Sequence, residues 1–235
     1  MLFLEVSMNS YFSKGELKLW TVSVIFILVS FGIFDRSSYL TLLASLIGVT
    51  SLIFNAKGNP FGQFLMVVFS ILYGIISWSF SYYGEMITYL GMTAPMAVFA
   101  LISWLRHPFQ GNHAQVAVNQ LHGWEHGTLP LLTIAVTVLF YFILQAFHTA
   151  NLLLSTLSVT TSFVAVYLTW RRSPWFALAY AANDVVLIAL WILAAREDQS
   201  YLSVVICFAV FLINDLYGFF SWRQMEKRQQ RITSF

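Results

Sequence analysis

The sequence predicts an all-α integral membrane protein of about eight transmembrane helices, and three observations carry that prediction. Of 235 residues, 59% are hydrophobic and only 9% are charged, where a soluble domain has roughly 25% charged residues. So few charges cannot cover a water-facing surface, and most of the outside must face lipid. The apolar residues fall into runs of roughly 20, the length that crosses a bilayer as a helix. These runs are continuous rather than alternating, which excludes the strands of a membrane barrel.

The runs cover residues 19–34, 39–56, 60–83, 85–105, 128–147, 149–170, 174–195 and 200–222. The first follows Lys14 and Lys18 and resembles the start of a signal peptide. Asp35-Arg36-Ser37-Ser38 follows it without a small-x-small cleavage pattern, so it reads as a retained helix. Lys57-Gly58-Asn59-Pro60 separates the second run from the third, and Arg171-Arg172-Ser173-Pro174 separates the sixth from the seventh. Each proline opens a helix, where its missing N–H costs nothing. Pro95 predicts a kink in the fourth run. Cys207 is the single cysteine; it excludes an internal disulfide framework and reads as a small core residue. A formal charge of +2, with no basic stripe to track a phosphate backbone, excludes nucleic acid as a partner. A homo-oligomer is compatible with the sequence, and no cofactor is expected.

An even number of spans puts both termini on one side. That side holds every Lys and Arg except Arg36 and Arg196, and the positive-inside rule makes it the cytoplasm. The chain also contains a repeat. Ser45-x-x-x-Val49-Thr50 returns as Ser155-x-x-x-Val159-Thr160, Pro60 as Pro174, and Ser103-Trp104 as Ser221-Trp222. Five regions follow: an extra N-terminal helix (1–38), a three-helix repeat (39–108), a cytoplasmic loop and linker helix (109–148), a second three-helix repeat (149–223) and a basic tail (224–235). A single linker helix makes the repeats parallel, an arrangement that in transporters places a site between them near the midplane.

Polar groups inside spans are costly and are functional candidates. Asn183-Asp184 and Asn214-Asp215 lie inside the last two runs, at depths of roughly 15 and 10 Å. Helical spacing joins Phe176, Tyr180, Asn183 and Leu187 into one stripe, with Asp184 and Trp191 at its edge. Asn214 and Tyr217 form a second stripe, and Glu85, Thr88 and Tyr89 a third. Rings alternating with amides and acids suit a flat, polar, cationic ligand, through ring contacts and amide pairing. Interhelical hydrogen bonding is the alternative role for the same side chains. His122-Gly123-Trp124-Glu125-His126 has the H-x-x-E-H spacing of inverted zinc peptidases, but it is placed in a polar loop between glycines and lacks a third ligand. Three classes therefore stand: a transporter, a membrane hydrolase using His122, Glu125 and His126, and a non-transporting receptor or scaffold.

The segments NAKGNPFGQ (55–63), YYGEMITYLGMTAPMAVFALISWLRHP (82–108), NLLLSTLSVTTSF (151–163), RRSPWFALAYAANDVVLIALWILA (171–194) and INDLYGFFSWRQMEKRQ (213–229) resemble the PnuC family of vitamin transporters, in particular the nicotinamide riboside transporters of Gram-positive bacteria. The resemblance implies a 3+1+3 parallel-repeat core related to the SWEET sugar transporters, with the first helix as an extra. It implies facilitated diffusion of nicotinamide riboside across a bacterial cytoplasmic membrane, with uptake driven by a separate cytosolic kinase. It also implies that the helix after the second basic turn holds substrate, which here offers Trp175, Phe176, Tyr180 and Asn183; the family's Trp-x-x-Trp is absent, since Leu178 follows Trp175. In that reading Asn183 pairs with the carboxamide, and Asp184, Asn214 and Asp215 bind hydroxyls or balance charge. Thiamine, also a cation, is not separated from nicotinamide riboside by charge.

Overall fold

The structure, a computed structural model, describes residues 11–79 and 82–233. The first ten residues of the N-terminal region, Phe80-Ser81 at the end of the third run, and the last two residues of the basic tail lie outside the described residues.

Among the described residues, eight helices are long and apolar enough to cross a membrane. They are α1 (Lys14–Phe34), α2 (Tyr39–Ala56), α3 (Pro60–Ser79), α4 (Tyr83–Arg106), α5 (Glu125–Ala146), α6 (Leu152–Trp170), α7 (Phe176–Ala195) and α8 (Leu202–Thr233). α1 starts earlier than its apolar run because Ser13 and Glu16 form a reciprocal capping box. At 32 residues, α8 is about 48 Å long. That exceeds the roughly 30 Å of hydrocarbon, so its last turns, with Lys227, Arg228 and Arg231, project beyond the bilayer. The break expected at Pro95 takes the form of a π turn, Tyr89–Thr93, inside α4. Pro95 has no N–H to give to the preceding turn, and the wider turn accommodates its ring.

Six helices close into a ring in the order α2, α3, α4, α6, α7, α8 and back to α2. Each triple packs through its middle helix, and the two triples meet at an α4–α6 seam and an α8–α2 seam. Exchanging the triples maps this order onto itself. The other two helices lie outside the ring, α5 on α6, and α1 on α2 and α8. Only Glu125 and Leu144 of α5 are buried. α1 turns its polar side inward: Ser23 accepts from Asn214 Nδ2 at 2.9 Å, and Trp20 Nε1 donates to Thr50 Oγ1 at 3.2 Å. Lipid solvates the apolar face, so the polar positions are the ones that seek protein.

The seams are tied at the end that carries the basic turns. Trp104 Nε1 on α4 donates to Thr169 O at the end of α6 at 2.9 Å, and Ser103 Oγ donates to Trp170 O at 2.9 Å. At the other seam, Trp222 Nε1 on α8 donates to Asn55 O at the end of α2 at 2.7 Å, and Ser221 Oγ to Ala56 O at 2.7 Å. The last carbonyls of a helix have no partner within it; here each Ser-Trp pair supplies two donors. The two indoles meet with centroids 5.2 Å apart.

Both basic turns end their helices through a residue with positive φ, Gly58 at 68° after α2 and Arg172 at 59° after α6. Gly58 N bonds Asn55 O and Asn59 N bonds Phe54 O; Arg172 N bonds Thr169 O and Ser173 N bonds Leu168 O. These pairs close Schellman-type caps. The stretch expected to be a plain loop is more ordered than that. Pro108–Phe109 pairs antiparallel with Asn112–Val116, turning through Gln110 and Gly111 at positive φ. Val116 N then donates to Gly58 O at 2.9 Å and Asn119 N to Arg172 O at 3.0 Å. One strap of backbone thus joins both turns, and Gln229 of α8 holds it by bonds to Val116 O and Val118 N.

Removing one indole N–H should expose the weight of these ties. Trp222→Phe keeps a ring but removes one of the two donors to the buried Asn55 carbonyl, which keeps Gly58 N, a loss of about 0.5–1.5 kcal/mol. The variant should melt earlier in detergent, while Trp78→Phe, at a ring that is 63% exposed, should not. Equal melting of the two would show that the packing, not the bond, carries the seam.

Candidate functional site

The inward face of α7 runs Phe176, Tyr180, Asp184, Leu187, Trp191, one side chain per turn. Phe176, Asp184, Leu187 and Trp191 are buried, and Tyr180 is half-buried. Asp184 lies beside Asp215 of α8, close enough for the two carboxyl groups to interact. Tyr180 sits between this pair and Thr169 of α6. Across the ring, Tyr89 of α4 is a neighbour of Asp184, Tyr180 and Glu85. Glu85 is 2% exposed, and its one hydrogen bond is a long contact from Ser158 Oγ of α6 at 3.5 Å. Oε2 of Glu85 and Oδ2 of Asp184 are buried without a donor. The bundle centre therefore gathers Glu85, Tyr89, Tyr180, Asp184 and Asp215 from both triples.

Three carboxyl groups in this setting have no basic neighbour. The six ring helices hold no Lys or Arg along their crossing lengths; Lys57, Arg106, Arg171, Arg196 and Arg223 all lie at or beyond their ends. A buried carboxylate without a counter-charge is costly, so this centre is built to receive positive charge or hydrogen-bond donors. The Tyr89 and Tyr73 rings pack at a tilt of 51° with centroids 4.3 Å apart, and Tyr73 accepts from Trp191 Nε1 at 2.8 Å. Tyr73 lies outside the residues proposed from sequence, and Trp191 stands there only at the edge of the α7 stripe; its spacing from Asp184 and Leu187 puts all three on the same helix face.

Other candidates point elsewhere. Asn183 faces α6, where its Oδ1 accepts from Thr161 Oγ1 at 2.8 Å and Ser162 Oγ at 3.1 Å. Asn214 faces α1 and bonds Ser23 and its own Val210 carbonyl. Tyr217 also turns to α1, donating to Glu16 Oε1 at 3.0 Å. Trp175 is 48% exposed at the basic end, against Phe219 and beneath the Arg223 guanidinium. Phe176 packs with Trp104 and Trp222 in the floor under Tyr180. Thr88 donates to Gly84 of its own helix. The correction to the stripe read from sequence is a rotation: the central residue on α7 is Asp184, with Asn183 behind it.

The H-x-x-E-H segment has a different use. Glu125 begins α5, earlier than the expected start at residue 128, and its side chain is fully buried. Oε1 accepts from Arg171 Nε at 2.6 Å and Tyr167 OH at 2.9 Å; Oε2 accepts from Arg171 Nη2 at 2.8 Å and His122 N at 2.8 Å. Glu125 is the anchor of α5 on the second basic turn, with no lone pair left for base chemistry. Among the described residues, no group of His, Cys, Asp and Glu is placed to hold a metal ion.

Asn183 and Asp184 should separate in a paired test. Asn183→Leu removes an acceptor shared by Thr161 and Ser162, so it should lower the melting temperature and leave ligand affinity within about threefold, less than one lost hydrogen bond. Asp184→Asn keeps the shape and removes the charge, so its main effect should be on affinity for a cation. Tenfold weaker binding in the Asn183 variant, with unchanged melting, would return Asn183 to the site.

Residues 38–224 match the family model described as nicotinamide mononucleotide transporter. The nicotinamide riboside transporter PnuC of Neisseria mucosa is 25% identical over 201 residues, which cover 83% of this chain and 76% of the relative. The protein of the same name from Haemophilus influenzae is 24% identical over 196 residues, covering 81% and 82%. A solved structure described as the vitamin B3 transporter PnuC shares the fold, with a TM-score of 0.77 over 93% of this chain and 94% of that one at 23% identity. With the family match spanning all six ring helices and α5, the chain belongs to the nicotinamide mononucleotide transporter family, that of the PnuC proteins.

Proposed function

We propose that this chain carries nicotinamide riboside across the membrane by facilitated diffusion, through the centre shared by its two triples. The carrying observation is the set of Glu85, Asp184 and Asp215, buried on both sides of the ring with Tyr89 and Tyr180 between them. Nicotinamide riboside is a flat pyridinium cation with ribose hydroxyls. Its charge complements the acids, its ring suits Tyr89, and its hydroxyls suit the donorless oxygens of Glu85 and Asp184. The names of the two relatives, both nicotinamide riboside transporters, support the same substrate. Net uptake in this reading is drawn by a cytosolic kinase that phosphorylates the nucleoside, and the two triples are structural repeats that rock about the site. Thiamine is the second cation to test.

The family description names the mononucleotide, and the electrostatics argue for the nucleoside. A phosphate would bring negative charge to Asp184 and Asp215 and would find no Arg or Lys in the ring. Titration of the purified protein should therefore show binding of nicotinamide riboside and at least tenfold weaker binding of nicotinamide mononucleotide, since loss of even 1.4 kcal/mol is about tenfold. Comparable affinities would overturn the assignment of the acids to the substrate.

We also infer that the basic turns face the cytoplasm, because they and α8's basic end hold most of the Lys and Arg residues. A tag after residue 235 should be labelled only in permeabilised cells. Labelling from outside intact cells would reverse the orientation.

A further inference from the structure

At the end opposite the basic turns, the ring carries a cluster of aromatic side chains that the proposed site does not use. Tyr82 precedes α4, Trp191 is on α7 and Tyr201 precedes α8. Their centroids form a triangle: 5.0 Å from Tyr82 to Trp191, 5.5 Å from Trp191 to Tyr201 and 6.0 Å from Tyr82 to Tyr201. The two tyrosines are half-buried and hydrogen-bond each other, while Trp191 lies 1% exposed beneath them. The charged neighbours of both tyrosines are Glu197 and Asp198, which are exposed.

Beneath the triangle the rings continue. Trp191 donates to Tyr73, and Tyr73 packs at a tilt against Tyr89, which belongs to the central site. An unbroken file of aromatic groups therefore runs from an acidic rim to the buried carboxyl groups. Both triples contribute to it, through α3 and α4 on one side and α7 and the start of α8 on the other. Aromatic packing alone needs no acids at its mouth and no continuity with a charged centre. A flat cation can bind ring faces at each step, and the rim acids raise its local concentration.

We propose that Tyr82, Trp191 and Tyr201 form an outer docking site for a flat organic cation, from which the ligand passes along Tyr73 to Tyr89. This rests on the reading that the chain carries such a cation. A docking site acts on capture and leaves the equilibrium at the central site largely untouched, so uptake and affinity should separate. The test uses nicotinamide riboside. In vesicles, Tyr82→Leu/Tyr201→Leu should take it up about tenfold more slowly at low concentration, from the loss of two ring contacts. Equilibrium binding to the purified variant should stay within about twofold of wild type. Tyr82→Phe/Tyr201→Phe keeps the rings and should keep uptake. Unchanged uptake in the Leu variant, or an equal fall in affinity and uptake, would overturn the proposal. If the Leu variant does not fold, Glu197→Gln/Asp198→Asn serves, with Asn still able to cap Ser200 N as Asp198 does. Its uptake should be slower than wild type at low salt and nearly insensitive to ionic strength; wild-type rates there would overturn the proposal. A wild-type protein that binds no nicotinamide riboside would sink the functional reading first, and the docking site with it.

Discussion

The architecture depends on how two helix ends are satisfied. α2 and α6 stop at the basic turns, and each leaves carbonyls that α-helical bonding cannot reach. Near a membrane such groups must find partners within the protein. The Ser-Trp pairs of α4 and α8 provide those partners across the seams, Trp104 to Thr169 and Trp222 to Asn55. Both seams are therefore closed by the same chemistry at the same end, and the two indoles pack against each other where the seams converge. The strap from Val116 to Asn119 then bonds the left-handed residue of each turn. Without these ties, few directional bonds beyond Trp191–Tyr73 and Ser158–Glu85 set the depth at which one triple meets the other, because apolar helices in lipid slide at little cost.

With that end held, the centre can carry groups that would otherwise disrupt a bundle. Glu85, Asp184 and Asp215 are expensive to bury, and they add to the seams only the long contact from Ser158 Oγ to Glu85 at 3.5 Å. Several polar groups that join ring helices or dock α1 are neutral and bonded across the contact: Gln63 with Asn55, Asn183 with Thr161 and Ser162, and Asn214 Nδ2 with Ser23. The structure thus separates two uses of polarity inside a membrane. Amides and hydroxyls join helices, and carboxyl groups without basic partners gather at the centre. That division is why we assign the acids, more than the asparagines, to the proposed site.

Much of the fold was legible in the sequence because lipid imposes a blunt rule: about 20 apolar residues per crossing, ended by Lys57-Gly58-Asn59-Pro60 or Arg171-Arg172-Ser173-Pro174. The Ser-Trp recurrence was visible as well, though its purpose was not, since the carbonyls it satisfies are distant in sequence. The site was less legible for a geometric reason. Neighbouring residues on a helix point about 100° apart, so Asn183-Asp184 puts one side chain toward the centre and the other toward α6. Apolar periodicity could not decide which, because both faces of α7 are buried by protein. The same ambiguity placed Asn214 and Tyr217 in the candidate set, since only the packing of α1 on α8 shows that this face is covered. Glu125 was misread for a related reason: its partner Arg171 is 46 residues away, and no local spacing signals it.

The two ends of the ring differ in what a relative movement of the triples would have to break. At the basic end it must release four donors from four carbonyls, Ser103, Trp104, Ser221 and Trp222 from Trp170, Thr169, Ala56 and Asn55. Each typical bond is worth about 0.5–1.5 kcal/mol net when water can replace it, so the four together hold roughly 2–6 kcal/mol. At the other end the triples meet through ring contacts, the Trp191–Tyr73 bond and the Tyr82–Tyr201 pair. Most of these contacts are ring on ring and can slide over one another and over a flat ligand with few polar bonds to exchange, whereas the basic end must break four directional bonds. The conformation described here is therefore locked by directional bonds toward the basic side and closed by adaptable surfaces on the opposite side. In the proposed reading, a cation arriving at the aromatic end meets the closure that costs less to rearrange, and the buried acids offset the cost of taking its charge out of water.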